Sequence, residues 1–108
     1  MSDADDSDRT MPDDSESEQA IAVLPIEDSI DLHGFQPRDI LDVVVDYLEA
    51  AQLRGFREVR LIHGRGTGTQ RARIRALLAE LGRVESFRDA PAARGGWGAT
   101  LVYLKALE

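Results

Sequence analysis

Apolar and polar residues alternate at the start of the structured part of this sequence, and apolar residues then recur at helical spacing. Ile30 and Leu32 share one face of a short strand predicted over residues 29–33, and Gly34 ends it. A helix is predicted from Pro37, because proline has no N–H to leave unpaired at the first helical position. Gly55 is its expected stop. The buried stripe of this helix has five residues: Ile40, Leu41, Val44, Val45 and Leu48.

A second strand–helix pair follows, and then two more strands. Residues 59–62 form the second predicted strand and lead into a glycine-rich loop. The second helix begins near Thr69 and is expected to stop at Gly82. Residues 84–88 and 99–105 are the third and fourth predicted strands. The second helix buries four residues: Ile74, Leu77, Leu78 and Leu81.

This βαβαββ order predicts a two-layer α/β sandwich with a mixed four-stranded sheet. Strand–helix–strand units place parallel strands in one sheet through right-handed crossovers. Two crossovers in the same direction put both helices on one face and leave the other face open. We expect strand order 1-2-4-3, with the last strand antiparallel between the second and third. The loops after the first three strands then share one edge, where ligands of open α/β sheets usually bind.

Charge divides the 108-residue chain into two parts. Residues 1–28 hold ten acids against the single base Arg9, a net of −9, and the remainder carries +2, which together give the overall −7. Residues 1–20 have almost nothing to bury, so we expect a disordered acidic tail. The tail either aids solubility or mimics nucleic acid. Residues 21–28 are expected to form an apolar arm against a domain spanning 29–108.

Composition also excludes several classes of site. The chain has no cysteine, which excludes disulfides, thiolate metal sites and cysteine nucleophiles. The acidic N-terminus has no apolar run, so neither a signal peptide nor a membrane span is predicted. We therefore expect a cytoplasmic protein without a membrane partner.

The two histidines of the chain each end a predicted strand and precede a glycine, at His33 and His63. Histidine exchanges protons near neutral pH, and a pair can act as general base and general acid in phosphodiester cleavage. Asp31 leaves its strand on the same face as His33 and could orient the imidazole, hold a metal ion or activate a water. The alternatives are backbone caps for the histidines and an ion pair between Asp31 and Arg60. Strict alternation points His63 to the other face, so its convergence with Asp31 depends on a turn at Gly64.

The loop after His63 has the composition of a phosphate cradle. Glycines let backbone N–H groups approach an anion closely, and the following helix adds positive charge at its N-terminus. Neither a P-loop nor a dinucleotide fingerprint matches the spacing. The helix arginines could also be an ordinary solvated face. The candidate phosphate-binding residues are Gly64, Arg65, Gly66, Thr67, Gly68, Arg71 and Arg75.

Trp97, the single tryptophan, lies in a glycine-rich loop over residues 90–98. An indole in such a loop can stack on an unpaired base, worth about 1–3 kcal/mol. It could equally fold over the edge of the domain.

Three stretches together resemble the Smr (small MutS-related) domain: residues 30–34, 61–68 and 95–100. The similarity covers about residues 29–106. It implies a βαβαββ fold like the C-terminal domain of translation initiation factor three, binding of DNA or RNA and, in a number of members, endonuclease activity. By position, the Asp-x-His motif falls on Asp31 and His33, and the His-Gly-x-Gly motif on His63 to Gly66. Arg65 stands where the family commonly has lysine.

The leading hypothesis is an endonuclease that nicks DNA or RNA, with Asp31, His33 and His63 as catalytic residues. The runner-up is a non-catalytic module that binds nucleic acid or a ribosome, and a third hypothesis is a binder of small phosphates. Family members differ in their need for a divalent ion, so Mg²⁺ is a candidate cofactor. Asp31 is the single acid within the motifs, which disfavours an all-protein metal cage. We expect a stand-alone, monomeric member of the family.

Overall fold

The computed structural model describes residues 26–107, in which four strands and two α-helices follow the βαβαββ order. The predicted tail and most of the arm lie outside these residues. Neither helix within residues 26–107 is long and apolar enough to cross a membrane. The elements are β1 (Ser29–Asp31), α1 (Ile40–Leu53), β2 (Glu58–Ile62), α2 (Thr69–Leu78), β3 (Val84–Asp89) and β4 (Ala99–Leu104).

The sheet has the order β1-β2-β4-β3, which confirms the predicted topology. β1 runs parallel to β2, and β4 runs antiparallel to both β2 and β3. Leu61 is the register partner of Ile30 on one side and of Thr100 on the other. Leu61 packs in the core with residues of both helices. Because paired residues point to the same face of a sheet, the whole row faces the helices.

One hydrophobic core joins both helices to the same face of the sheet. Val44 and Leu48 of α1 and Ile74 and Leu78 of α2 are at most 1% exposed. They belong to one cluster with the alternate β-strand residues Val59, Leu61, Val102 and Leu104. Shortening such a buried leucine to alanine typically costs about 2–5 kcal/mol. The predicted two-layer arrangement is therefore confirmed.

The described end of the arm contacts α1. Ile26 packs against the core, and the Tyr47 hydroxyl donates to the carbonyl of Glu27. Burial, together with the nearby carboxylates of Asp28 and Glu27, raises the pKa of Tyr47 to about 12. Tyr47 is buried on α1, whereas the predicted stripe residue Val45 is half-buried, so the buried stripe is rotated from the one predicted.

Three element ends differ from the prediction by two or more residues. α1 begins at Ile40 rather than at Pro37, because residues 37–39 first form a tighter 3₁₀ turn in which Asp39 N–H donates to Gln36 O at 2.8 Å. β1 ends at Asp31 rather than His33, because the Asp31 carboxylate accepts the backbone N–H of His33 and starts a turn. α2 ends at Leu78, well before Gly82. There the chain tightens into a turn in which Glu80 N–H donates to Leu77 O at 2.9 Å, and this turn leads directly into β3.

The sheet face away from the helices is partly covered, whereas the sequence predicted an open face. Two short 3₁₀ turns, Ala92–Arg94 and Gly96–Gly98, lie in the loop between β3 and β4. Arg60 donates to the carbonyl of Arg94 at 3.0 Å, and the Arg94 guanidinium binds Glu58 at 3.0 Å. Leu101 is only 1% exposed on this face. The covering loop belongs to the edge where the site is expected.

Candidate functional site

Asp31 and His33 form a hydrogen-bonded pair at the end of β1. Oδ1 of Asp31 accepts two hydrogen bonds from His33: one from the backbone N–H at 2.9 Å and one from ring Nδ1 at 2.7 Å. A carboxylate can only accept, so Nδ1 carries a hydrogen, and in the neutral form of the ring Nε2 then carries the lone pair. The backbone hydrogen bond, followed by the ring hydrogen bond, lowers the pKa of Asp31. The alternative pairing with Arg60 is not formed, because Arg60 donates to Arg94 O.

The two His-Gly turns meet where the His33 ring contacts Gly64. Gly64 has φ +80°, a conformation that favours glycine. A Cβ at this position would overlap Nε2 of His33. The free nitrogen of the Asp31–His33 pair therefore lies directly over the first residue of the glycine loop, and both partners are exposed to solvent.

His63 has a different role from His33, because it is buried and both ring nitrogens have partners within the protein. Nδ1 lies 2.9 Å from the carbonyl of Gly64, and Nε2 lies 2.9 Å from the Thr100 hydroxyl. Since the carbonyl only accepts, Nδ1 donates and Nε2 accepts from Thr100. Burial is the main cause that lowers the pKa of His63, so the ring is neutral at pH 7.

The ring of His63 does not converge with the Asp31–His33 pair. It continues the helix-facing row of Val59 and Leu61, and within residues 26–107 no hydrogen bond joins it to Asp31 or His33. The turn at Gly64 leaves the strand alternation intact at His63. What connects the two motifs is the contact of His33 with the Gly64 backbone.

The glycine loop presents unpaired N–H groups at the start of α2. The φ angles of Gly64, Gly66 and Gly68 are +80°, +44° and +87°. Gly64 N–H donates to Gly98 O at 2.8 Å, which fixes the loop against the one before β4. Within the described part of the chain, no acceptor lies within reach of the N–H groups of Gly66, Thr67, Gln70 and Arg71. Residues 63–70 line a pocket of about 200 Å³ beside these donors, suited to an anion.

The arginines predicted to hold phosphate, Arg71 and Arg75, both bind Asp89. Arg71 Nη2 contacts the two carboxylate oxygens at 2.7 and 3.0 Å, and Arg75 Nη1 contacts one of them at 3.3 Å. Asp89 ends β3 at the same edge of the sheet. The sequence interpretation did not include Asp89, although an acid at the end of the third strand was a usable signal.

Trp97 lies beside the glycine loop and close to two arginines. The guanidinium carbons of Arg65 and Arg71 are 6.0 and 5.9 Å from the centre of the indole ring. A Cβ at Gly96 would lie 3.0 Å from Arg65 Nη2, and one at Gly98 would lie 3.1 Å from its Cγ. The glycines on both sides of Trp97 thus leave room for Arg65. The loops after β1, β2 and β3 therefore meet at one edge of the sheet, as predicted.

The three loops lie within a stretch of the chain that matches a known protein family. The Smr domain family matches residues 30–105, which include both histidine motifs and the Trp97 loop. The chain belongs to the Smr domain family. The match extends from β1 to the end of β4.

Two relatives of this Smr domain are much longer proteins. It is 38% identical over 89 residues to the endonuclease MutS2 of Pediococcus pentosaceus, covering 82% of this chain and 11% of that protein. It is 45% identical over 76 residues to the endonuclease MutS2 of Thermus thermophilus, covering 70% and 10%. The chain thus spans about a tenth of the length of these relatives.

Two solved structures share the fold. The Smr domain of Thermus thermophilus MutS2 aligns with a TM-score of 0.70 at 43% identity, over 73% of this chain and 99% of that one. YdaL, a stand-alone small MutS-related protein from Escherichia coli, aligns with a TM-score of 0.64 at 26% identity, over 75% and 66%.

The donor set of this Smr domain does not fit an all-protein metal cage. Within residues 26–107, no three acidic or histidine side chains converge to hold an ion. Asp31 is engaged by His33 through Oδ1, and Asp89 is engaged by two arginines. A hard cation such as Mg²⁺ requires several oxygen ligands, which these side chains do not supply by themselves.

Thr100 is a further site residue that the sequence interpretation did not assign. Its side chain is fully buried and contacts His63, which lies 37 positions away in sequence. A threonine within the mostly apolar run of β4 was the available signal. The candidate site therefore has an exposed pair, Asp31 and His33, and a buried pair, His63 and Thr100, and both pairs contact Gly64 or its neighbour.

Proposed function

We propose that this Smr domain binds DNA or RNA at the three-loop edge and cuts a phosphodiester bond there, as a nicking endonuclease. One observation carries the proposal: Nε2 of the His33 ring, whose Nδ1 is bound by Asp31, lies against Gly64, the first residue of the glycine loop that we propose binds phosphate. The MutS2 relatives, which are named endonucleases, contain the same domain. The proposed base and the proposed phosphate site are thus adjacent.

The phosphate would be bound by the unpaired N–H groups at the start of α2. Four such donors and the positive end of the helix dipole complement a phosphodiester oxygen. Arg65 is exposed next to the loop and adds a guanidinium. Arg71 and Arg75 would contribute only after releasing Asp89, so we propose that they act as a secondary contact.

His33 would act as the general base, and Asp31 as the residue that positions it. Nε2 takes the proton from the attacking oxygen, which is a water on DNA or either a water or the 2′-hydroxyl on RNA. That oxygen forms the new bond to phosphorus while the bond to the leaving sugar oxygen breaks. The leaving oxygen is protonated by solvent. Asp31 stabilises the imidazolium that results, through its hydrogen bond to Nδ1.

We propose that His63 acts on this reaction through Gly64. Both of its ring nitrogens are engaged and the ring is buried, so it has no free nitrogen to offer a substrate. Its hydrogen bond to Gly64 O holds the turn that supports His33 and begins the phosphate loop. His63 is in this account a positioning residue. No step of the proposed reaction is routed through Mg²⁺.

A non-catalytic module that binds nucleic acid or a ribosome is the second candidate. The burial of His63 favours it, because only one imidazole in the described range remains free for proton transfer. Such a module would use the phosphate loop and leave the bound strand intact. It makes the same prediction for binding as the nuclease and the opposite prediction for cleavage.

The two candidates are separated by a cleavage assay on matched DNA and RNA, with Mg²⁺ and with EDTA. We expect His33→Ala and Asp31→Asn to lower the cleavage rate by about 10²–10⁴-fold with little change in binding. Asp42→Asn, which removes an exposed acid from α1, is the matched control and should cut like the wild type. Cleavage that survives His33→Ala contradicts the assignment of the base. Binding without any nicking by the wild type favours the non-catalytic module.

A further inference from the structure

Trp97 forms a surface with Arg65 and Arg71. Trp97 itself has no role in the reaction described above, although the two arginines beside it are proposed to contact phosphate. Trp97 is 41% exposed, although a large apolar side chain normally gains free energy from burial. Two guanidiniums lie about 6 Å from its ring centre. An exposed indole with adjacent cations fits a ligand that has both a flat π face and negative charge.

The position of this surface is fixed from three sides. Arg65 extends along the Trp97 loop because Gly96 and Gly98 leave space for it. Arg71 is held by its two-oxygen contact with Asp89. The indole edge reaches the glycine loop, since a Cβ at Gly68 would lie 3.9 Å from its Cζ3 atom. The ring and the phosphate loop therefore belong to one continuous surface.

We propose that this surface makes the site selective for an unpaired nucleotide, with its base stacked on Trp97 and its phosphates near Arg65 and the glycine loop. The inference rests on the proposed nucleic-acid binding and names its substrate class: single strands, flaps or unpaired bases. In a duplex each base is stacked between its neighbours and presents only its edges in the grooves, so it cannot offer a face to the indole. A single strand offers that face at little cost.

Trp97 is the only tryptophan of the chain, so the tryptophan fluorescence of the protein reports on this contact alone. The full chain is titrated with a single-stranded oligonucleotide, the same sequence as a duplex, and an abasic strand of equal length. We expect quenching of Trp97 fluorescence by the single strand, and tighter binding of the single strand than of the abasic strand. Trp97→Ala should weaken single-strand binding by about 5- to 150-fold and leave abasic-strand binding unchanged. Trp97→Phe should retain part of the preference.

Tyr103→Ala is the matched control, because Tyr103 also pairs with an arginine, Arg88, at 5.8 Å but lies at the opposite end of β4. It should leave the preference for the single strand unchanged. Equal quenching by single strand and duplex, or an unchanged preference in Trp97→Ala, overturns the stacking inference while nucleic-acid binding stands. Absence of binding to all three nucleic acids overturns the proposed function itself.

Discussion

Gly64→Ala should separate backbone strain from the displacement of His33. Alanine at φ +80° costs about 1–2 kcal/mol, partly offset by the about 0.4–1 kcal/mol that a lost glycine gains in the unfolded chain. The net loss of about 1 kcal/mol corresponds to a fall in Tm of about 4–8 °C for a domain of this size. The new Cβ also overlaps His33 Nε2. Because the His33 side chain is 61% exposed, the ring can rotate away and break its hydrogen bond to Asp31.

Gly55→Ala is the matched control for this experiment. Gly55 has φ +92° at the end of α1, and no atom lies within 4 Å of a Cβ built there. Thermal unfolding followed by circular dichroism should give both variants a similar fall in Tm. Only Gly64→Ala should also impair the proposed cleavage, by about 10²-fold or more.

An NMR titration of the Asp31 carboxyl follows the same change without relying on activity. In Gly64→Ala the pKa of Asp31 should rise part of the way to its ordinary value of 3.8, since the ring hydrogen bond is lost and the backbone one remains. Gly55→Ala should leave this pKa where the wild type has it. An unchanged pKa of Asp31 in Gly64→Ala would refute the claim that the Gly64 contact sets the His33 ring.

Three further predictions concern the buried pair and the arginines. The pKa of His63 is lowered in the folded state, so the unfolded chain binds the proton more readily and stability should fall as the pH drops through 6.5. His63→Gln should reduce the difference in Tm between pH 7.5 and pH 5.5, measured by thermal unfolding. Thr100→Val leaves Nε2 of His63 without a hydrogen-bond donor and should lower the free energy of unfolding by about 1–3 kcal/mol, measured with denaturant. Thr100→Ser keeps the hydroxyl, so NMR should show the same neutral, Nδ1-protonated ring as in the wild type. Asp89→Asn frees Arg71 and Arg75 and should tighten oligonucleotide binding several-fold at low salt, measured by anisotropy, while stability changes by about 1 kcal/mol or less. A binding constant for Asp89→Asn equal to that of the wild type would show that these arginines do not reach the nucleic acid.

The topology could be predicted because periodicity in the sequence reports which face of each element is buried. Val44 and Leu48 lie at helical spacing, and Val59 and Leu61 alternate along a strand. The ends of elements were harder to predict, because they depend on local hydrogen bonds. β1 ends two residues early because the Asp31 side chain competes for the His33 N–H.

Sequence patterns predicted the contact that forms within one loop of the candidate site, but not the contacts between distant strands. The spacing of Asp31 and His33 predicted that both side chains share one strand face, and the pair forms although the strand already ends at Asp31. The partners of the buried and charged groups come from distant strands. Thr100 reaches His63 through the register of β4 with β2, and Asp89 reaches Arg71 from the end of β3. Local sequence patterns do not contain such pairings.

The tether between Arg94 and Glu58 has a consequence for any binding measurement. This ion pair is about 40% exposed, so added salt screens it and loosens the loop that carries Trp97. Salt also weakens phosphate contacts, and the slope of log K against log[salt] is normally converted to a count of neutralised phosphates. In this protein we expect that slope to contain a contribution from loop mobility. A Glu58→Gln variant keeps a hydrogen-bond acceptor for Arg94 but loses the charge that salt screens, so it should give the count free of that contribution.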